Sequence, residues 1–442
     1  MTEKNHHIHM QIIQRPERKD WPSVTARPQL EKKGLDRTVM KIMEAVRRHG
    51  DRSVRKYTKE FDGVGLRKYE VSQKEMNAAE KMLDTDLREA IMQAAANIRK
   101  FHMTQVAAVE RVETMPGVHC WRKSLPIESV GLYIPGGTAP LFSTILMLGI
   151  PAAIAGCSEV ILCSPPDASG SLHPAILFAA KLVGVHRVFK AGGVQAIAAM
   201  TYGTDTIPKV DKIFGPGNQY VTAAKGQAQA EGVAIDMPAG PSEVCILADA
   251  TANPAFVASD LLSQAEHGAD SQVLLVSDDA VLLSRTLEEL KIQVAKLERK
   301  EMAEKALLQS RAVLVDSMEE GMALVNAYAP EHLIIACEND ERLAAQVKSA
   351  GSVFLGHLTP ESAGDYASGT NHTLPTNGHA RAYSGVSVDS FVKKVTFQKI
   401  DPEGLSHLGP VVIRMAEAEG LQAHAEAVRV RMQHLREDRR DR

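Results

Sequence analysis

The sequence predicts an α/β fold made of two layers of parallel sheet, flanked by a helical N-terminal arm and a helical C-terminal tail. Three observations predict it. Short apolar runs alternate with helical segments from Val130 to Cys337, the rhythm that βαβ units produce. Gly- and Pro-rich turns separate these runs at regular intervals. The chain has 442 residues, 44% of them hydrophobic, which is enough for more than one core.

Val39, Ile42, Met43 and Val46 recur at helical spacing between Leu35 and Phe61, and Gly50-Asp51 reads as a stop and restart. A second helical region runs from Lys74 to Lys100. After Pro126 come the strand VGLYI, a Gly-Pro loop and helix, the strand SEVILCS and a helix from Pro174. HRVFKAGG, a helix from Val194, and KIFGPG with another helix complete the first layer. The second layer starts near Val233 with EVCILAD, a helix from Pro254 to His267, and QVLLVSD. It continues with a charged helix over 279–308, AVLVDS and HLIIAC. Beyond Gly385 follow a short strand region, VTFQKI, and a helix from Gly409 to the end, too little to bury a core alone.

Composition excludes several partners. Fifty-one Lys and Arg against 54 Asp and Glu leave a formal net charge of -3, so no overall basic field exists for nucleic acid or an anionic membrane. Residues 1–60 are locally basic but lack interleaved aromatics, and read as solvated helix faces. The most apolar stretch, Ile145 to Gly156, is interrupted by Gly149 and Pro151 and is too short to span a bilayer. Nothing at the N-terminus reads as a secretory signal, and His6, His7 and His9 there read as an arm rather than a metal site. Five cysteines without a CxxC pair suit a reduced, cytoplasmic protein.

Three groups of residues carry candidate chemistry. Gly-rich loops close three strands, at Pro135-Gly136-Gly137-Thr138-Ala139-Pro140, Gly192-Gly193-Val194-Gln195 and Gly215-Pro216-Gly217-Asn218. Along one edge of a parallel sheet they suit a nucleotide or dinucleotide, although tight turns alone would look the same. In LSQAEH, Gln264 and His267 lie one helical turn apart, a spacing that presents two groups to a metal. Glu361, Asp365 and His424 add oxygen and imidazole donors, a set suited to a zinc-like site that holds a ligand. In Tyr328-Ala-Pro-Glu331-His332, a carboxylate adjoins an imidazole, the best general base near pH 7. The two share a pocket only if the chain turns there, and a surface loop pair is the alternative.

The strings VGLYIPGGTAPLFSTILMLGIPAA, AGGVQAIAAM, FGPGNQYV, AIDMPAGPSEV, ASDLLSQAEHG, AYAPEHL, GSVFLG, TPESAGDYASGTNH and AEGLQAHAEAVRVR resemble the histidinol dehydrogenase family in order and spacing, over nearly all of residues 12–431. The resemblance implies two incomplete Rossmann-like domains in an intertwined homodimer. It divides the chain into an arm (1–34), a metal and catalytic domain (35–128 with 242–384), an NAD domain (129–241) and a tail (385–442). It also implies an NAD-dependent oxidation of L-histidinol through L-histidinal to L-histidine, the last step of histidine biosynthesis, with one zinc ion per subunit.

Matching positions would give Gln264, His267, Asp365 and His424 as zinc ligands, and Ser242, Gln264, His267, His332, Asp365, Glu419 and His424 as substrate contacts. Tyr133, Gln195 and Asn218 would contact NAD, with Glu331 and His332 catalytic and Glu419 and His424 supplied by the second subunit. Thr138-Ala139-Pro140-Leu141-Phe142 matches the histidinol-oxidising form rather than that of members acting on sulfonated diols. Three alternatives remain: a zinc hydrolase using Glu331 or His332, an idle binding protein, and a family member acting on another polar amino alcohol.

Overall fold

The computed structural model describes residues 10–28, 34–136, 140–238 and 240–440; His6, His7, His9 and the loop residues Gly137, Thr138 and Ala139 lie outside them. The chain divides into two compact units. One comprises Met1–Thr104 with Ile127–Phe391, the other Gln105–Pro126 with Val392–Arg442.

The larger unit holds both predicted parallel layers. A five-stranded sheet contains β4 (Ser129–Tyr133), β5 (Glu159–Ser164), β6 (Arg187–Lys190), β7 (Lys212–Phe214) and β8 (Ala234–Ile235), in the order β6-β5-β4-β7-β8. A six-stranded sheet has the order β1-β11-β10-β9-β12-β13. Its strands are β1 (Gln11–Gln14), β9 (Glu243–Ala248), β10 (Gln272–Ser277), β11 (Arg311–Leu314), β12 (His332–Ala336) and β13 (Ser352–Leu355). All pairings in both sheets are parallel.

The strands are apolar without alternation because both faces are covered. β9, β10 and β12 are buried at every residue. Ile334 packs with the helices Pro254–Ala265 and Ala280–Val294, while Leu333 packs with Met318–Tyr328 on the opposite face. Each fully buried Leu, Ile or Val contributes on the order of 1.5–3 kcal/mol, and strands and covering helices share these residues. The five-stranded sheet is enclosed likewise, by Phe142–Ala155 and Pro174–Leu182 on one face and by Leu35–His49, Gly193–Tyr202 and Gln219–Ala230 on the other.

The smaller unit departs from the sequence reading. β2 (Arg111–Met115) and β3 (Val118–Pro126) form an antiparallel sheet with β14 (Val392–Ile400), in the order β14-β3-β2. β3 pairs with β14 from far along the chain, and β2, paired with β3 alone, is mostly exposed, so neither strand shows the apolar run that marked the others. The tail helix begins at Pro402, where Asp401 caps the Gly404 N–H at 2.8 Å, and breaks at Gly420 into Pro402–Ala418 and Gln422–Arg440. The charged helix read over 279–308 is likewise two, Ala280–Val294 and Lys300–Leu308. The restart at Gly50 is observed, with φ +47 between Leu35–His49 and Asp51–Phe61.

The loop after β7 is pinned by a buried ion pair. Lys225 Nζ meets Asp236 Oδ1 at 2.5 Å and donates to Gly215 O at 2.8 Å, while the Gly215 N–H donates to Asp236 Oδ2. Gly215 has φ +126, and a Cβ there would lie 2.0 Å from Tyr133 O. Lys225→Met leaves Asp236 as an uncompensated buried charge and should cost about 3–5 kcal/mol in denaturant unfolding. A loss below about 1 kcal/mol would show that the pair is not what holds this loop.

Candidate active site

The helix Met318–Tyr328 ends on Ala329, whose φ of +54 turns the chain sharply before Pro330. That turn supplies the condition under which Glu331 and His332 share a pocket. Glu331 Oε2 lies 3.7 Å from His332 Nδ1, and both residues are buried. His332 is the first residue of β12 and Glu243 the first of β9, side by side at the amino-terminal edge of the six-stranded sheet.

Glu243 organises what surrounds it. Its N–H donates to Glu331 Oε2 at 2.8 Å. Its carbonyl lies 3.1 Å from His332 Nδ1 and accepts from Gln264 Nε2 at 3.2 Å. With Nδ1 donating to that carbonyl, Nε2 is the nitrogen that gains and loses a proton, and it lies 3.3 Å from Asp365 Oδ1. The Glu243 carboxylate takes a two-point ion pair from Arg27, at 2.5 and 2.8 Å, and accepts from the Asn377 N–H at 2.8 Å.

Gln264 lies in the last turn of the helix Pro254–Ala265, and His267 follows the helix in a turn rather than on a continuing helix face, yet both line the same cleft. That cleft of about 360 Å³ is also lined by Ser242, Glu331, His332, Asp365 and His372. Asp365 comes from the short helix Glu361–Tyr366, and its backbone carbonyl is held by His372 Nδ1 at 2.8 Å. His332, Glu361 and Asp365 present ligand atoms within 4.8 Å of one another. Gln264 Oε1, His332 Nε2, Glu361 Oε2 and Asp365 Oδ1 are buried without a hydrogen-bond partner.

Burial pushes the Glu331 carboxyl up to about 8, only partly offset by His332 and the Glu243 N–H. It also raises Glu361. Burial alone would lower His332, but Glu361, Glu331 and Asp365 more than reverse it, to about 10. Asp365 is held low despite its burial by His332, His372 and His267. Three buried carboxylates around one imidazole are an excess of negative charge that a divalent cation offsets, and unpartnered oxygens of amide and carboxylate beside imidazoles are donors zinc accepts. The residues fit a metal.

A second cavity, about 830 Å³, opens at the carboxyl-terminal edge of the five-stranded sheet, where an α/β sheet binds ligands. Tyr133, Gln195 and Asn218 all line it, and Pro135 and Asn218 line both cavities. Tyr133 Oη accepts the Gly193 N–H at 3.0 Å, at the start of the helix Gly193–Tyr202. Gln195 is 1% exposed, and neither end of its amide has a partner. Asn218 Oδ1 caps the next helix through the Tyr220 and Val221 N–H groups.

Glu419 and His424 belong to the smaller unit, where both are exposed, Glu419 closing the helix Pro402–Ala418 and His424 opening Gln422–Arg440. The cysteines take no part: all five are free, and burial raises the thiols of Cys157, Cys163, Cys245 and Cys337. Sequence reasoning missed Glu243 and Arg27. The one local signal was a carboxylate opening an otherwise apolar strand, EVCILA.

A family model described as histidinol dehydrogenase matches residues 25–432. The chain is 57% identical to histidinol dehydrogenase of Bacteroides thetaiotaomicron over 427 residues, 97% of this chain and all of the relative. The chain belongs to the histidinol dehydrogenase family. The Xanthomonas axonopodis enzyme of that name is 54% identical over 395 residues, 89% of this chain and 92% of the relative. A crystal structure of histidinol dehydrogenase from Elizabethkingia anophelis superposes with a TM-score of 0.96 at 55% identity, covering 98% of this chain and all of the other. Membership makes the protein an oxidoreductase of histidine biosynthesis acting on a small molecule. Among the described residues no helix is long and apolar enough to cross a membrane.

Glu331 and His332 hold protons more tightly in the folded chain than in the unfolded one. The stability they contribute to metal-free protein is therefore present at low pH. It is lost as pH rises, from 4.5 to about 8 for Glu331 and from 6.5 to about 10 for His332. The Tm of chelated protein should fall between roughly pH 6 and pH 9, and less steeply in Glu331→Gln. A flat or rising Tm over that range contradicts the charge assignment.

Proposed function

We propose that this protein is a zinc-containing, NAD-dependent enzyme that oxidises L-histidinol through L-histidinal to L-histidine. The observation that carries the reading is the placement of His332 Nε2, made the proton-exchanging nitrogen by the bond of Nδ1 to the Glu243 carbonyl, in a cleft that adjoins the larger cavity through Pro135 and Asn218. Residues 242–384 supply the catalytic side chains and 129–241 the cofactor loops.

In the first half-reaction His332 Nε2 takes the hydroxyl proton as hydride leaves the carbinol carbon. In the second, Glu331 takes a proton from the water that attacks the aldehyde while the protonated His332 returns its proton to the aldehyde oxygen, giving a gem-diol. His332, a base again, then takes the diol proton as the second hydride leaves. Two NAD molecules accept the two hydrides, so two NADH form for each histidinol. Gln264, His267 and Asp365 are the ligands this subunit would offer to zinc, with His424 as the fourth. Zinc, when bound, supplies an anchor for the imidazole and amino nitrogens of the substrate, a positioning role. Ser242, Gln264, His267, His332, Asp365, Glu419 and His424 contact the substrate, and Tyr133, Gln195 and Asn218 the NAD.

A homodimer supplies Glu419 and His424 from the second copy. Both residues are exposed and sit on a unit whose own sheet and helices enclose little core, which supports this reading. A hydrolase would leave the 830 Å³ cavity without a use.

NADH formation from L-histidinol, followed to completion, should give a ratio near two, disappear on chelation and return with zinc. A ratio near one, or turnover of an ester without NAD, rejects the four-electron reading. Glu331→Gln should slow oxidation of added aldehyde more than the alcohol step, whereas His332→Asn should slow both by about 10² to 10⁴. Equal losses in Glu331→Gln would remove the water-activating role. Co-expression of Glu331→Gln with His424→Asn should restore roughly a quarter of wild-type activity, because half of the dimers are mixed and each of these has one intact site. No recovery would place His424 in its own subunit's site.

A further inference from the structure

We propose that Asp62 selects the dinucleotide, its carboxylate accepting hydrogen bonds from the adenosine ribose hydroxyls of NAD and rejecting a ribose that carries a 2′-phosphate. The inference rests on the dinucleotide reading of the 830 Å³ cavity and names the group that discriminates within it.

Asp62 follows the helix Asp51–Phe61, where its N–H bonds back to Thr58 O at 2.9 Å. Its carboxylate lines the cavity beside Thr38, Ile42 and Phe61, and Oδ2 is buried with no hydrogen-bond partner. A buried acceptor left unmatched is costly, and hydroxyl donors of a ligand would satisfy it. Burial raises this carboxyl to about 6, and its charge acts on the Tyr133 phenol.

The position suits the adenosine half. Pro135 and Asn218 mark the side toward the cleft of His332, where hydride must pass, whereas the wall of Thr38, Ile42, Phe61 and Asp62 contributes nothing to that cleft. Ile42, Phe61 and Val194 offer apolar surface for a base.

Charge decides the selectivity. Among the described residues no Lys or Arg lines the cavity. His173 also lines it, its Nδ1 accepting the Ala175 N–H at 3.2 Å. Asp167, the other carboxylate, is engaged by its own loop, accepting from the Ser169 and Ser171 N–H groups. A phosphate would thus meet a carboxylate with no Lys or Arg among the described lining residues to offset it.

The test is fluorescence titration of the zinc-loaded full chain with NADH and NADPH, for the wild type, Asp62→Asn and Ser171→Trp. Ser171 is an exposed cavity residue whose replacement by Trp obstructs the space and leaves the Asp62 carboxylate itself in place. NADH should bind the wild type at least about 100-fold tighter than NADPH. Asp62→Asn, which is isosteric, should weaken NADH by roughly 10-fold or more and shrink the preference at least as much. Ser171→Trp should weaken both ligands together. An unchanged NADH-to-NADPH ratio in Asp62→Asn, with Ser171→Trp impaired, overturns the role of Asp62 and leaves the cavity assignment standing. Full NADH affinity in Ser171→Trp overturns the cavity assignment and the inference with it.

Discussion

Every polar group of Glu243 is used, and the candidate active site hangs on that use. Its N–H holds the Glu331 carboxylate, its carbonyl engages His332 and Gln264, and its own carboxylate is clamped by Arg27 and the Asn377 N–H. The position makes this possible. As the first residue of β9 it sits where the ladder of backbone hydrogen bonds begins, so its amide and carbonyl are open to side chains. A buried acid there is tolerable only because a guanidinium matches it at two points. Arg27 also lies 4.1 Å from the Tyr328 ring centroid and donates to the carbonyls of Tyr328 and Ala329, which bracket the turn before Glu331.

The two parallel sheets present opposite ends to their candidate ligands. The five-stranded sheet offers its carboxyl-terminal edge, where glycine turns lead into helix starts. The six-stranded sheet offers its amino-terminal edge, with Glu243 and His332 as first residues of neighbouring strands. Because the strands behind both edges are buried on both faces, the loops and strand ends are held by rigid cores.

Legibility in the sequence followed the range of the interactions. The alternation of strands and helices over 130–337 was readable because each element is marked by its own apolar run. β3 was not, since what makes it a central strand is pairing with β14 more than 250 positions later, and β2, paired only with β3 and mostly exposed, has no apolar run of its own. Gln264 and His267 announced themselves within one short segment, and the Gly-rich loops lie where the strand pattern put them. Arg27 and Glu243 are 216 positions apart, and neither carries a local sign of the other.

The sequence by itself determined the α/β class, the edge that carries the glycine loops and, through its long ordered motifs, the family. Periodicity and motif spacing are local properties, and local properties survive in a linear string. Only the tertiary structure decided that Ala329 turns Glu331 and His332 into one pocket, that a strand-end residue orients them, and that Glu361 closes a cluster with His332 and Asp365. It also placed Asp62 in the wall of the larger cavity with an unmatched oxygen. Those outcomes depend on which distant groups burial forces together and on whether each buried polar atom then finds a partner.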